Sequence, residues 1–543
     1  MRTPPVLTAR EAAELVGDGA TVSVSSASAI GVPDALLAGI GQRFEETAHP
    51  AGITSLHCIN SGEMSSGIAG VDHLAKPGLL RRILGGSFPA GPATMDAPPV
   101  RRMIAAGQVE AYNIPSGIMY QMHRAAALRQ PGVLTQSGLG TYADPRVEGA
   151  KMNAAAPDFV RLEQFDGQEW LFYPAVPVDV ALIRATTADP RGNLTFEEEA
   201  SPLGALDIAY AARNSGGVVI AQVKRLTDVP HHPREVLVPG ILVDAVVVAP
   251  DQVQTGLAEY DPAISGNELR DLDAIEPLEF SLEKVICRRA AMELARNDVV
   301  NLGFGISAGV PRVLLEEGIF DQVTWVIEQG PVGGFPLTGF QFGAAINPDA
   351  IVRSSDQFTL LQGGGFDAGL LSFMEVSSAG DVNVSLLKAR PHATAGIGGF
   401  ADITGFAPNL VFSGQFTAGR KDVTLGEGRL AINEDGAIAK FVPDVAQISF
   451  AGALAAERGQ KVRYVTERCV LELRDAGLTV IEIAPGVRLQ EDVLDRSAIP
   501  LAVADDLVEM DARIFTDAPM GLTLAEPRRP LPDQQELRER VQR

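Results

Sequence analysis

The sequence predicts an α/β protein made of two similar open halves, each with a largely parallel sheet. Two observations carry that expectation. Short β-branched runs ("TVSV", "GVVIAQV", "ILVDAVVVA", "DVVNLGFG", "NLVFSG") alternate with helical stretches such as "REAAELVGDG" and "EKVICRRAAMELAR". Apolar runs of strand length suit strands covered on both faces, and amphipathic helices between them supply the cover. The pattern also repeats. Residues 11–40 and 288–318 each read as an Ala-rich helix, a tight polar turn (Asp18-Gly19, Asn297-Asp298), a strand, a small-residue loop and "GVP" opening a second helix. Later, "VDVALIRATTADPRGNLTF" is echoed by "DAGLLSFMEVSSAGDVNVS", an apolar strand, a turn and a second short strand. Such an echo reads as duplication of one supersecondary unit.

At 543 residues the chain exceeds one ordinary core, so more than one domain is expected. Residues 1–260 form the first, 261–283 a polar and acidic linker, 284–520 the second, and 521–543 a polar tail. The opening "MRTPPVLTAREAAELVGDG" runs straight into a capped helix pattern with no apolar signal region, and no apolar stretch reaches membrane-spanning length. With 45 basic and 68 acidic residues the net charge is −23, which argues against a nucleic-acid partner. Cys58, Cys287 and Cys469 have no metal or redox spacing, so a cytoplasmic protein without disulfides is expected. The histidines (His49, His57, His73, His123, His231, His232, His392) are scattered, and no metal site is expected.

Neither a G-x-S-x-G elbow nor a G-x-x-x-x-G-K-[ST] loop is present, so a hydrolase triad and a P-loop are unsupported. The stretch "TWVIEQGPVGGFP" (324–336) instead places Glu328 where a β-branched, aromatic strand meets glycine and proline. Three more glycine-dense loops, "GFGISAG" (303–309), "QGGGFDAG" (362–369) and "AGIGGFADIT" (395–404), lie within the same half. One such loop is punctuation; four suggest bare backbone brought close to a long ligand. Two readings of Glu328 stay open on pattern alone. It caps glycine-loop amides, or it attacks an activated acyl group and is then captured by the departing thiol.

Read end to end, the chain resembles the family I coenzyme A transferases, in the single-chain acetate/propionate and short-chain 3-oxoacid branch. "KVICRRAAMEL", "VNLGFGISAGVP", "VIEQGPVGGFP", "FGAAINPDAI", "LLQGGGFDAG", "GIGGFADIT", "FSGQFTAG", and in the first half "YNIPSG", "SGLGTYADPR" and "RNSGGVVIAQVKR", occur in the family's order. The resemblance implies a CoA-transferase (NagB/RpiA-like) fold, a homodimer or homotetramer, and coenzyme A as substrate with no tightly bound cofactor. It implies ping-pong exchange of CoA between an acyl-CoA and a small carboxylic acid through a γ-glutamyl-CoA thioester. Glu328 aligns with the catalytic glutamate, Gly398 and Gly399 with the oxyanion segment, and Gly303, Phe304, Gly305, Ile306 and Gly309 with a CoA-contacting loop. Lys388 is the basic residue favoured for a CoA contact over Arg353, Arg390, Arg420 and Lys421. Asn113, Ser116 and Gln329, with Tyr112 beside them, fall where the acyl group is expected. The chain departs from the family at Gln329, at Ser25-Ser26-Ala27 and at Ser116, which points to a larger or more polar acyl group than acetate. Acyl-CoA hydrolysis through the same intermediate, and effector binding without catalysis, are the alternatives.

Overall fold

The structure, a computed structural model, describes residues 3–91 and 96–529. In the first half the main sheet is built from β1 (Val6–Leu7), β2 (Thr21–Val24), β3 (Ile53–His57), β4 (Leu80–Gly85), β5 (Glu110–Asn113), β6 (Val180–Ala188), β7 (Val218–Leu226) and β8 (Ala245–Val248). Their spatial order is β1-β8-β7-β6-β2-β3-β4-β5, parallel throughout, with Leu194–Thr195 added antiparallel to β6. β6 is buried along its whole length, as a central strand covered on both faces must be.

The second sheet runs β12-β11-β10-β9-β13-β14-β15-β16-β17-β18. Its strands are β9 (Val299–Leu302), β10 (Thr324–Val326), β11 (Pro331–Val332), β12 (Ala350–Ile351), β13 (Ala368–Ser372), β14 (Asn409–Ser413), β15 (Lys461–Val465), β16 (Cys469–Arg474), β17 (Gly477–Ile483) and β18 (Ala502–Glu509). The core from β10 to β15 is parallel and the flanks are mixed. The internal echo is real. β7-β6-β2-β3 in one sheet matches β14-β13-β9-β10 in the other, and each "GVP" opens a helix.

The helices that matter for the site are α1 (Ala9–Ala13), α2 (Asp34–Thr47), α3 (Pro99–Ala105), α4 (Ser116–Ala127), α5 (Ala205–Ser215), α6 (Leu282–Ala291), α7 (Val310–Glu316), α8 (Ser354–Gln362) and α9 (Phe400–Thr404). Local chemistry sets their ends. Thr8 and Glu11 form a capping box at α1, and Ser281 accepts from the Lys284 N–H at α6, satisfying otherwise orphaned donors. The halves share one apolar core in which α4 packs on α8; the Tyr120 and Phe358 rings, both buried, lie 5.7 Å apart.

The connecting stretch is mostly irregular, with residues 266–271 exposed. Ala263 is nevertheless buried against Phe335 and Ile346 of the second half. Leu522 and Leu524 are buried in the second core, so chain expected as polar tail is structured at least to residue 529; residues 530–543 lie outside the described residues. All three cysteines are free and buried. Among the described residues no helix is long and apolar enough to cross a membrane, and no group of acidic, His or Cys side chains could hold a metal ion.

Candidate active site

Glu328 stands at the tip of a tight hairpin between β10 and β11. The Ile327 N–H donates to Pro331 O (3.0 Å) and the Gly330 N–H to Ile327 O (2.8 Å), so the chain turns back at once. The sequence predicted a strand opening into a loop; the loop is only residues 327–330 because Val332 pairs straight back onto Val326 of β10. Gly330 has φ 132° and an added Cβ would lie 2.1 Å from Val352 O, so no other residue fits. The tip is latched from two directions. Ser354 Oγ at the start of α8 donates to Gln329 O (2.8 Å), and Ser201 Oγ of the first half donates to the same oxygen.

Against this tip lies the segment 395–399, held by the strand ends of the other half. The shared register Val24, His57, Gly85, Asn113 brings the carboxyl ends of β2 to β5 level, and the chain beyond them receives the segment as ligand crevices of α/β sheets do. Phe88 N–H donates to Ala395 O (2.7 Å), Gly398 N–H to Gly86 O (2.8 Å) and Ser116 N–H to Gly398 O (2.9 Å). The Asn113 amide completes the splint, donating to Gly85 O (3.1 Å) and Gly86 O (2.6 Å) and accepting from the Ile397 N–H (2.9 Å). Asn113 therefore holds the segment, and its polar atoms are committed. Gly398 is committed too, since its N–H is taken by Gly86. Gly399 is what meets Glu328: a Cβ there would sit 2.0 Å from Glu328 Oε2.

Glu328 keeps part of its surface accessible, but Oε2 is fully enclosed and makes no well-aligned hydrogen bond among the described residues. Burial, and next the charge of Asp402, push its carboxyl up to about 7, against a smaller opposing pull from the Gly399 N–H. Asp402, on α9, is wholly buried. It accepts from the Gly117 N–H (2.8 Å), Ser137 Oγ (2.7 Å) and Gln362 Nε2 (2.7 Å). Burial nevertheless raises it to about 6, the Ser137 hydroxyl being the largest opposing influence. Sequence reasoning missed this residue, although Asp402 is the only ionisable side chain in "AGIGGFADIT", the same signal that singled out Glu328. Ser201 and Ser354 gave no signal, because their roles depend on a contact between distant elements.

The other expected site residues divide. Gln329 turns its side chain toward Gly343, with Oε1 buried and unpartnered. Ser116 begins α4 and its Oγ, also unpartnered, faces Gly86. Gly303 and Gly305 pack on Leu371 and Ser372, and Phe304 between them is 68% exposed, edge-on to Phe342 at 5.5 Å. Gly309 is set against Cys287 and Leu278, and Ile306 O accepts from the Cys287 thiol, so this end of the loop packs on α6. Lys388 is exposed, and its charge acts on Glu148. Arg353 pairs with Asp356 (2.8 Å), and Lys421 Nζ donates to Thr417 O. The Tyr112 hydroxyl donates to Pro157 O (2.7 Å), which makes it a packing residue.

The arrangement offers one chemistry: a carboxylate raised toward neutrality, fixed on a rigid turn, beside a peptide N–H with no other acceptor among the described residues. The chain is also similar to known proteins along nearly its whole length. The family described as Coenzyme A transferase matches residues 6–249. Caffeate CoA-transferase of Acetobacterium woodii is 38% identical over 523 residues, 95% of this chain and 98% of that protein. Acetate CoA-transferase YdiF of Escherichia coli O157:H7 is 38% identical over 527 residues, 96% of this chain and 97% of its own length. The crystal structure of YdiF from that strain as a thioester complex with CoA superposes with a TM-score of 0.87 at 36% identity, covering 97% of this chain and 98% of that one.

Proposed function

The chain belongs to the coenzyme A transferase family and moves CoA from an acyl-CoA to a free carboxylic acid, and from that premise we propose that Glu328 carries the exchange as a γ-glutamyl-CoA thioester. The observation that carries this is the meeting of the Glu328 carboxylate with Gly399 at a doubly latched turn. The ionised carboxylate attacks the acyl carbonyl carbon, the C–S bond breaks, and CoA leaves as thiolate from a mixed anhydride. The thiolate then attacks the glutamyl carbonyl and the first acid departs as carboxylate. A second carboxylate reverses both steps.

Each tetrahedral intermediate places negative charge on an oxygen that the Gly399 N–H can meet, which is worth roughly 3 kcal/mol in such sites. A carboxyl near 7 is more basic than an ordinary glutamate, hence a better nucleophile, while still substantially ionised at neutral pH. Asp402 positions the site and keeps that basicity high. Gly303, Phe304 and Gly305 serve the CoA arm through an exposed ring and bare backbone. CoA acts as substrate and no resident cofactor takes part; the working form is a cytoplasmic homo-oligomer.

The buried hydroxyls of Ser26 and Ser116, both without partners, support an acyl group with polar atoms to share. One relative is named for caffeate, a bulkier and more polar acid than acetate. The decisive experiment is peptide mass spectrometry after brief exposure to a panel of acyl-CoAs. A CoA adduct on the peptide holding residue 328 is expected. Turnover without any such adduct, or undiminished turnover in Glu328→Gln, rules the mechanism out; preference for acetate rules out the polar acyl pocket alone.

A further inference from the structure

Arg101 is a buried cation with no counter-charge. It lies on α3, is 7% exposed, donates from Nη2 to Pro391 O, and has Nη1 enclosed with no acceptor among the described residues. Its guanidinium stands 5.9 Å from the centre of the Phe88 ring. No carboxylate pairs with it among the described residues, although the chain has 68 acidic residues against 45 basic ones. Its isolation is therefore not a shortage of partners. Burial lowers its pKa only to about 10, so it stays charged at neutral pH. An unpaired buried charge costs several kcal/mol, and cores of this kind rarely keep one idle.

Its place gives the reason. Phe88, on which it rests, donates its N–H to Ala395 O, and Gly91 N–H donates to His392 O (3.3 Å). Arg101 thus lies beneath the segment 391–399 whose far end brings Gly399 to Glu328. His392 Nε2, one residue from the Arg101 contact, is also buried without a partner.

We infer that Arg101 seats an oxyanion of the substrate, either a carboxylate at the far end of the acyl group or a phosphate of CoA, while Glu328 works on the thioester. The inference rests on the reading of Glu328 given above. The carboxylate is the favoured source, because the exposed Phe304 ring against Phe342 serves the CoA arm, whereas Arg101 touches the other end of the segment that brings Gly399 to Glu328.

The test compares succinate with butyrate as acceptors, and an acyl-CoA with its dephospho-CoA counterpart, in wild type, Arg101→Met and Arg101→Lys. The succinate-to-butyrate ratio of kcat/KM should fall at least tenfold in Arg101→Met and recover in part in Arg101→Lys. A fall only in the acyl-CoA to dephospho-CoA ratio assigns the seat to phosphate. If neither ratio moves while Glu328→Gln still abolishes transfer, the inference is overturned and the mechanism stands. A readout on unaltered protein guards against misfolding. Succinate or pyrophosphate should raise the wild-type Tm more than butyrate at equal concentration; no difference among the three overturns the seat. That measurement stays decisive even if no adduct on Glu328 is ever found.

Discussion

Glu328 illustrates how one side chain can be tuned by enclosure. A carboxyl held near 7 in the folded protein and near 4.5 in the unfolded chain binds its proton more tightly when folded, so ionising it weakens the fold. That cost is absent below pH 4.5 and complete above about pH 7. Glu328→Gln removes it. The variant should therefore lose at least about a thousandfold in kcat yet be more stable than wild type at pH 8, by at most about 3 kcal/mol. Thermal unfolding should show the gain shrinking to nothing by pH 4.5; an equal gain at both pH values would mean the carboxyl is not raised. Asp402→Asn separates charge from scaffolding. Losing a neighbouring negative charge lowers the Glu328 pKa, so the acidic limb of kcat/KM should move down by about one pH unit with a lower plateau. A limb that stays in place while the plateau drops would reduce Asp402 to a strut.

At the scale of elements, the hairpin tip and the 395–399 segment make the site, and they were legible to different degrees. "TWVIEQGPVGG" announced a strand, a stop and a lone acid, because β-branched residues and glycine act locally. What the stretch did not disclose is that Val332 pairs back onto Val326 of β10, since pairing depends on a partner that local preference does not see. The glycine loop 395–404 was likewise visible as bare backbone. Which of its amides remained free was not, because Gly86 and Asn113, in the other half of the chain, take the neighbouring ones. Gly399→Ala tests the element directly. With a Cβ 2.0 Å from Oε2 something must move, and we expect a loss of about 100- to 1000-fold in kcat with the unfolding midpoint nearly unchanged. A matching fall in Tm would indicate general damage.

For the whole molecule, the duplicated plan was readable because each half repeats its own helix, strand and "GVP" order. The way the halves meet was hidden. It rests on α4 against α8 and α9: Gly117 to Asp402, and Arg124 to Asp356 (2.9 Å), around the Tyr120–Phe358 contact. These are spread over distant sequence and leave no periodic trace. Truncating Phe358 to Ala should cost about 3–5 kcal/mol and reduce transfer sharply, because α8 also carries Ser354 to the hairpin; chemical denaturation alongside the transfer assay would check both.

The exposed stretch 266–271, with Leu269 85% exposed, lies on the sole covalent route between these halves. Everything that sets the nucleophile is non-covalent and lies elsewhere, so the peptide there supplies proximity and no geometry. A single protease nick after Leu269 should leave a two-fragment enzyme fully competent at high concentration, and dilution alone should then switch it off.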